Sequence, residues 1–362
     1  DFRKEQMKSN ESNYRRCSGM VDAFIQGYDW IDVVSNIDEM ASITKQKLIE
    51  FVKKNYHDNN YAIVYKRFGE DTTGTSIDKP KITPVPLNRG VESDKFKEIN
   101  EMETSEIAAK FLDFNKDIEH IDFDDKVPLK VIKNNINSRF SVTYTFEMGN
   151  DHSKELGVAI NVLPLLGTNK YSPEELKKKW YSMGVDMSVR TWGDRSFVSI
   201  NGIKESMPEA VSLLDHVLRN IEFDSLTYTN YVSDELKSRD NNMKNKYYLY
   251  YGAIQMVKYG KSSSFNNELS ASELKSLDPD MLSEKIKTLL DHPHEILYYG
   301  PHSKEEMLQH LSGHKISDKM LSIGEKTFFI FPDSVEHFVD SEGGFKHPSN
   351  LKVIECKELF TS

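Results

Sequence analysis

Two pairs of histidines come closest to the spacings that metal chemistry needs. His292 and His294 flank Pro293, and at i and i+2 they would share one face of a strand. Pro293 points rather to a turn before Ile296, and no third ligand accompanies the pair, whereas a zinc site takes at least three protein ligands. His310 and His314 stand at i and i+4, which is one helix face only if the helix runs on through Gly313. A solvated helix end is the simpler expectation. The run Tyr247-Tyr248-Leu249-Tyr250-Tyr251 could stack on a ligand, but such rings are more often core, with their hydroxyls reaching the surface. Trp192 precedes Gly193-Asp194 in a predicted hairpin turn, exposed where it could touch a partner domain. The two cysteines, Cys17 and Cys356, have no metal-binding spacing. No nucleophile–base pair, phosphate-cradling glycine loop or nucleic-acid module is present.

The elements that would position these side chains follow from composition and periodicity. A chain of 362 residues exceeds the roughly 250–300 at which a single core stops growing, so two units are expected. A formal charge of −10 excludes a broad attraction to nucleic acid or to an anionic bilayer. The apolar run from Val158 to Leu166 is about half of the roughly 20 residues that a membrane-spanning helix needs. The opening Asp1-Phe2-Arg3 has neither an initiator Met nor a cleavable apolar segment, and reads as a cut inside a larger protein.

Residues 1 to 26 predict the tail of a helix with a narrow apolar face at Met20, Val21 and Phe24. Thr44 caps a second helix through Leu48, Ile49, Phe51 and Val52, and Tyr61 to Arg67 reads as a strand. Residues 71–90 carry Gly74, Pro80, Pro84 and Pro86 and form an exit linker. The chain is therefore divided into 1–90, the end of one α+β domain, 91–121, a helical connector, and 122–315, a second α+β domain.

Within that second domain, Leu129 to Ile132 and Phe140 to Phe146 predict a hairpin, and Leu156 to Leu166 a buried helix stopped at Gly167 in a left-handed turn. Ser172-Pro173-Glu174-Glu175 is a capping box, and Ser206-Met207-Pro208-Glu209 repeats its signature. Val185 to Val189 and Arg195 to Ile200 make a second hairpin. Ala210, Leu213, Leu214, Val217 and Leu218 give one helix a core face, further helices run from about 226 to 290, and a strand covers Ile296 to Tyr299. The fold class is α+β, with helices packed on a mainly antiparallel sheet. Residues 316–362 stay unassigned, with strands expected at Phe328 to Phe331 and Leu351 to Ile354.

The string Leu165-Leu166-Gly167-Thr168-Asn169-Lys170-Tyr171-Ser172-Pro173-Glu174-Glu175-Leu176 resembles the segment after the zinc motif in insulinase/pitrilysin metallopeptidases. There, the helix bearing H-x-x-E-H runs into a Gly-Thr turn and then a Ser-capped helix. The similarity continues through Val189, residues 195–202 and Tyr298-Tyr299-Gly300-Pro301. Upstream, Tyr65-Lys66-Arg67 and Lys79 to Pro84 resemble a domain exit in bacterial members. The resemblance implies four homologous α+β domains, paired into halves that close around unfolded peptides, with zinc in the first domain. This chain would then hold the end of the second domain, the connector and most or all of the third domain.

Aligned on the Gly167-Thr168 turn, the family's two histidine positions fall on Val158 and Val162, and its catalytic glutamate position on Asn161. None of the three can bind zinc or take a proton from water. The family's third ligand is a glutamate further on, and Glu235 lies in its range, as a relic at most. The resemblance thus implies a non-catalytic, chamber-forming part of a zinc-dependent metalloendopeptidase, without a cofactor of its own. Zinc and catalysis would come from an N-terminal half of the same polypeptide, peptides would be the substrates, and a periplasmic or otherwise exported location is preferred. The alternative is a non-enzymatic subunit or scaffold that pairs with an active homologous peptidase.

Overall fold

The computed structural model describes residues 1–57, 61–66, 68–69, 78–85, 90–106, 108–109, 111, 113–124, 127–259, 263–314 and 321–323. They fall into two units, Asp1–Gly27 with Asp113–Ser362, and Tyr28–Leu112. The first begins with α1 (Phe2–Asn10) and α2 (Asn13–Gln26), two helices where the sequence predicts one. Ser12 separates them, because its side chain accepts the amide of Arg15 and caps α2, while Gly27 closes that helix at φ 73°.

The unit Tyr28–Leu112 contains α3 (Trp30–Ala41), α4 (Lys45–Asn55) and α5 (Asp94–Glu101). Thr44 caps α4 through the amide of Lys47, as its sequence predicts. Residues 61–66 form no strand; β-rich composition becomes a strand only when a neighbour satisfies its backbone. Among the described residues the connector is helical over α5 and α6 (Phe114–Asp117) alone. Arg67, residues 70–77 and 86–89 of the linker, and both strands expected after residue 324 lie outside the described residues.

The larger unit is built on a six-stranded sheet. Its strands are β1 (Glu119–Asp124), β2 (Val127–Lys133), β3 (Arg139–Phe146), β5 (Asp186–Trp192), β6 (Arg195–Ile203) and β8 (His294–Gly300), in the spatial order β1-β2-β8-β3-β6-β5. All neighbours are antiparallel except β2 and β8. A boundary expected near residue 122 therefore falls inside β1. The β5–β6 hairpin turns at Gly193-Asp194, with Gly193 at φ 54°, as expected.

The hairpin expected between β2 and β3 is split, because β8 lies between them. The connecting loop is held open by Asn134, whose side chain accepts the amides of Ile136 and Asn137 and donates to the Arg139 carbonyl. That span of two interstrand spacings, roughly 10 Å, leaves room for the late strand.

One sheet face carries the helices α7 (Lys154–Val162), α8 (Pro173–Ser182), α9 (Met207–Asn220), α10 (Ser225–Asn242), α11 (Lys246–Tyr259), α12 (Ala271–Ser276), α13 (Pro279–Lys287) and α14 (Lys304–His310). A two-residue pair, β4 (Gly167–Thr168) with β7 (Ile221–Glu222), joins the end of α7 to the end of α9. The core lies between this helical layer and the sheet: Phe140, Val142, Tyr144, Phe146, Ile296 and Tyr298 from the strands meet Ala159, Ile160, Leu214, Val217 and Leu218. Each large apolar side chain so buried contributes about 1.5–3 kcal/mol, enough to fix α9 by its apolar face alone.

The Ser172 capping box on α8 is formed, with Ser172 and Glu175 satisfying each other's amides. Its expected repeat at Ser206 is not. Ser206 ends a short 3₁₀ turn, Lys204–Ser206, and donates instead to the Met183 carbonyl at 2.6 Å. Residues 1–27 group with this unit rather than with 28–90. Lys4, almost fully buried, reaches Asp186 of β5 at 2.5 Å, and Glu11 pairs with Arg139 of β3 at 2.6 Å.

Candidate functional site

Val158, Asn161 and Val162, the residues that the sequence resemblance aligns with a zinc motif, all lie on α7. Ser153 caps this helix through the amide of Leu156, and its buried stripe of Leu156, Ala159, Ile160 and Val162 faces the core. Val162 is fully buried and Val158 partly so, both packed in the core cluster. Asn161 is exposed on the opposite side. The helix ends at Val162 and passes through a 3₁₀ turn, Leu163–Leu165, before β4.

Asn161 and Glu235 are brought together by Tyr231 of α10. The Tyr231 hydroxyl is pushed up from its usual pKa by burial and by the Glu235 carboxylate, against its hydrogen bond with Asn161. Glu235 is not free to serve a metal. Arg239, one turn further along α10, donates to its Oε1 at 2.7 Å, lies 3.5 Å from Glu268, and donates to the Leu269 carbonyl at 2.7 Å. Burial works against the charge on Arg239, but the Glu235 hydrogen bond and the two carboxylates hold its pKa above the usual value. With valines at two positions and an arginine on the remaining acid, these side chains do not fit a zinc ion. Among the described residues no three His, Cys, Asp or Glu side chains are arranged to hold a metal.

Gly167 and Thr168 make a tighter junction than a helix cap. Gly167 is not left-handed; it is extended in β4. It must be glycine for a different reason, since a Cβ there would lie 2.8 Å from the Tyr171 carbonyl oxygen and 3.1 Å from Pro173 Cδ. The Thr168 hydroxyl accepts the amides of Lys170 and Tyr171 and lies 3.1 Å from His216 Nε2, tying this junction to α9.

The histidines combine in a way that their spacing does not suggest. His294 Nδ1 donates to the His292 carbonyl at 2.7 Å, while its Nε2 meets His314 Nε2 at 3.3 Å. His314, expected at a solvated helix end, is buried, with Nδ1 3.0 Å from Asp215 of α9, which also accepts the Tyr144 hydroxyl at 3.1 Å. The 3₁₀ turn Leu311–Gly313 beyond α14 swings His314 inward, away from His310, whose ring packs on His302. Burial lowers the His294 pKa to about 4.

Two other expectations meet different outcomes. Trp192 is exposed beside its turn, whereas Tyr247, Tyr250 and Tyr251 are exposed rather than core. The run lies on α11, which is separate from α10 where the sequence predicts one long helical region from about Leu226 to Tyr259. Arg239 was legible in the i, i+4 spacing from Glu235, and Asp215 as an acid beside the apolar stripe of α9. The pairing of His294 with His314 left no local signal.

No family model and no curated protein matches the chain. Among solved structures, it is similar to the first half of the periplasmic protease PqqL from Escherichia coli, with a TM-score of 0.50 and 11% identity over 60% of this chain and 49% of that one. A peptidase M16 inactive domain from Pseudomonas fluorescens matches at a TM-score of 0.48 and 11% identity, over 58% of this chain and 53% of that one. The periplasmic protease PqqL itself matches at 0.48 and 10%, over 80% and 30%. The chain spans about half or less of the length of these structures. What the likeness to the PqqL half shows is the fold: an α+β unit with helices on one face of a mainly antiparallel sheet.

Proposed function

We propose that this chain is a non-catalytic, chamber-forming and substrate-enclosing portion of a zinc-dependent metalloendopeptidase. The observation that carries the proposal is the replacement at the zinc-motif positions: the module's architecture is kept, while Val158, Asn161 and Val162 offer no ligands and Arg239 holds Glu235. Zinc and the water-activating glutamate would then come from an N-terminal catalytic half, and this chain would enclose the peptide rather than cleave it. The uncovered sheet face is the surface available for that task. The test is the zinc content of the full-length parent against that of this chain, measured after dialysis together with the coding sequence upstream. The expected outcome is an upstream H-x-x-E-H and one zinc in the parent, with none in this chain. A parent without that motif would remove the proposal.

A further inference from the structure

The sheet face opposite the helices has two ends of opposite sign. At one end the buried Lys4 of α1 reaches across to Asp186 of β5, whose own side chain stays largely exposed. Towards the other end the same face opens into a hollow of about 550 Å³, walled by Ser188 and Arg190 of β5, Arg195 and Ser199 of β6, and Thr143 of β3. Register explains the grouping: Ser188 stands opposite Ser199, Arg190 opposite Phe197, and Thr143 opposite Ser199 from the other side. The floor is apolar at Phe197, and hydroxyls such as the Thr143–Ser199 pair, 2.9 Å apart, can turn to donate or accept.

Its charge is unlike that of the rest of the molecule. The acid lining it, Glu295, is neutralised by Lys130 at 2.7 Å. Arg190 is held with its guanidinium 4.7 Å above the Phe197 ring, which orients its donors while leaving them unspent. Neither Arg190 nor Arg195 pairs with a carboxylate among the described residues. Two uncommitted guanidiniums therefore stand in a chain of net charge −10, on a face whose other end already seats a chain segment by charge complementarity.

We infer that this hollow binds an acidic peptide segment, with carboxylate side chains engaging Arg190 and Arg195 and the backbone lying over the hydroxyls. The assignment rests on the peptide-enclosing role proposed above, and names the class of peptide this face selects. Guanidinium forks match carboxylates in a bidentate way that a basic or neutral side chain cannot reproduce.

The test is fluorescence anisotropy of the full 362-residue chain with a short labelled glutamate-rich peptide and its lysine and serine counterparts. The glutamate peptide is expected to bind best, to weaken on addition of salt, and to lose about tenfold or more in affinity in the Arg190→Ala/Arg195→Ala variant. Both arginines are exposed, and an unchanged thermal melt verifies the variant's fold. Glutamate-peptide binding that the variant leaves unchanged, or a preference for the lysine peptide, would overturn the hollow while leaving the peptide-enclosing role standing. Absence of binding by all three peptides would overturn it too, and zinc content and the upstream motif would still decide the broader proposal separately.

Discussion

Gly167 and His294 show how single residues here depend on close approach and burial rather than on local conformation. At Gly167 a Cβ meets the Tyr171 carbonyl oxygen at 2.8 Å, so even alanine forces the β4 junction apart. Gly167→Ala is expected to lose about 1–3 kcal/mol in urea denaturation, the usual range for overpacking, whereas an unchanged midpoint would mean the loop yields freely. His294 gives a pH dependence. Burial lowers its pKa to about 4 in the folded state, against roughly 6.5 unfolded. As pH falls between those values the unfolded chain takes up the proton first, so stability is complete above about 6.5 and declines towards 4. His302, lowered to about 4 by burial, adds in the same direction. Thermal melts across that window should fall with acidity, and His294→Asn should flatten part of the slope; a wild-type melt independent of pH would contradict the burial of these rings.

At the scale of elements, α7 and α10 decide whether the zinc-motif positions retain any chemistry. Arg239→Met should cost about 1 kcal/mol through the lost pairing with Glu235, and it should not create a zinc site, because Val158 and Val162 still provide no ligand. Stoichiometric zinc retained by that variant after dialysis would contradict the assignment. The helices were the more legible elements, since apolar periodicity and capping survive into the fold: the Ser172 box and the α9 stripe formed as their residues dictate. Strand partnership was not legible in the same way. Leu129 to Ile132 and Phe140 to Phe146 look like a hairpin because hairpins are local, yet β8 enters from more than 140 residues downstream in sequence. The same non-local step makes the His294–His314 contact, and it explains why that cluster escaped a reading based on spacing. Ser206 carries the signature of a cap but spends its hydroxyl on Met183, a choice only tertiary packing could set.

At the scale of the whole molecule, two units follow from length, but their membership does not follow from composition. The first 27 residues join the sheet unit through Lys4 and Glu11, ion pairs between segments far apart in the chain. The Pro- and Gly-bearing linker remains an expectation from sequence: limited proteolysis should cut within 71–90 before it cuts α7, whose residues are largely buried, and a first cut inside α7 would contradict the domain plan. The central claim is that this chain encloses peptides for a catalytic half and cleaves nothing itself. Hydrolysis of a quenched fluorescent peptide tests it most directly, comparing this chain, the upstream half of its parent, and the two combined. The account predicts no cleavage by this chain and chelator-sensitive cleavage by the combination well above that of the upstream half alone. Chelator-sensitive cleavage by this chain alone, or a combination no faster than the upstream half, would contradict it.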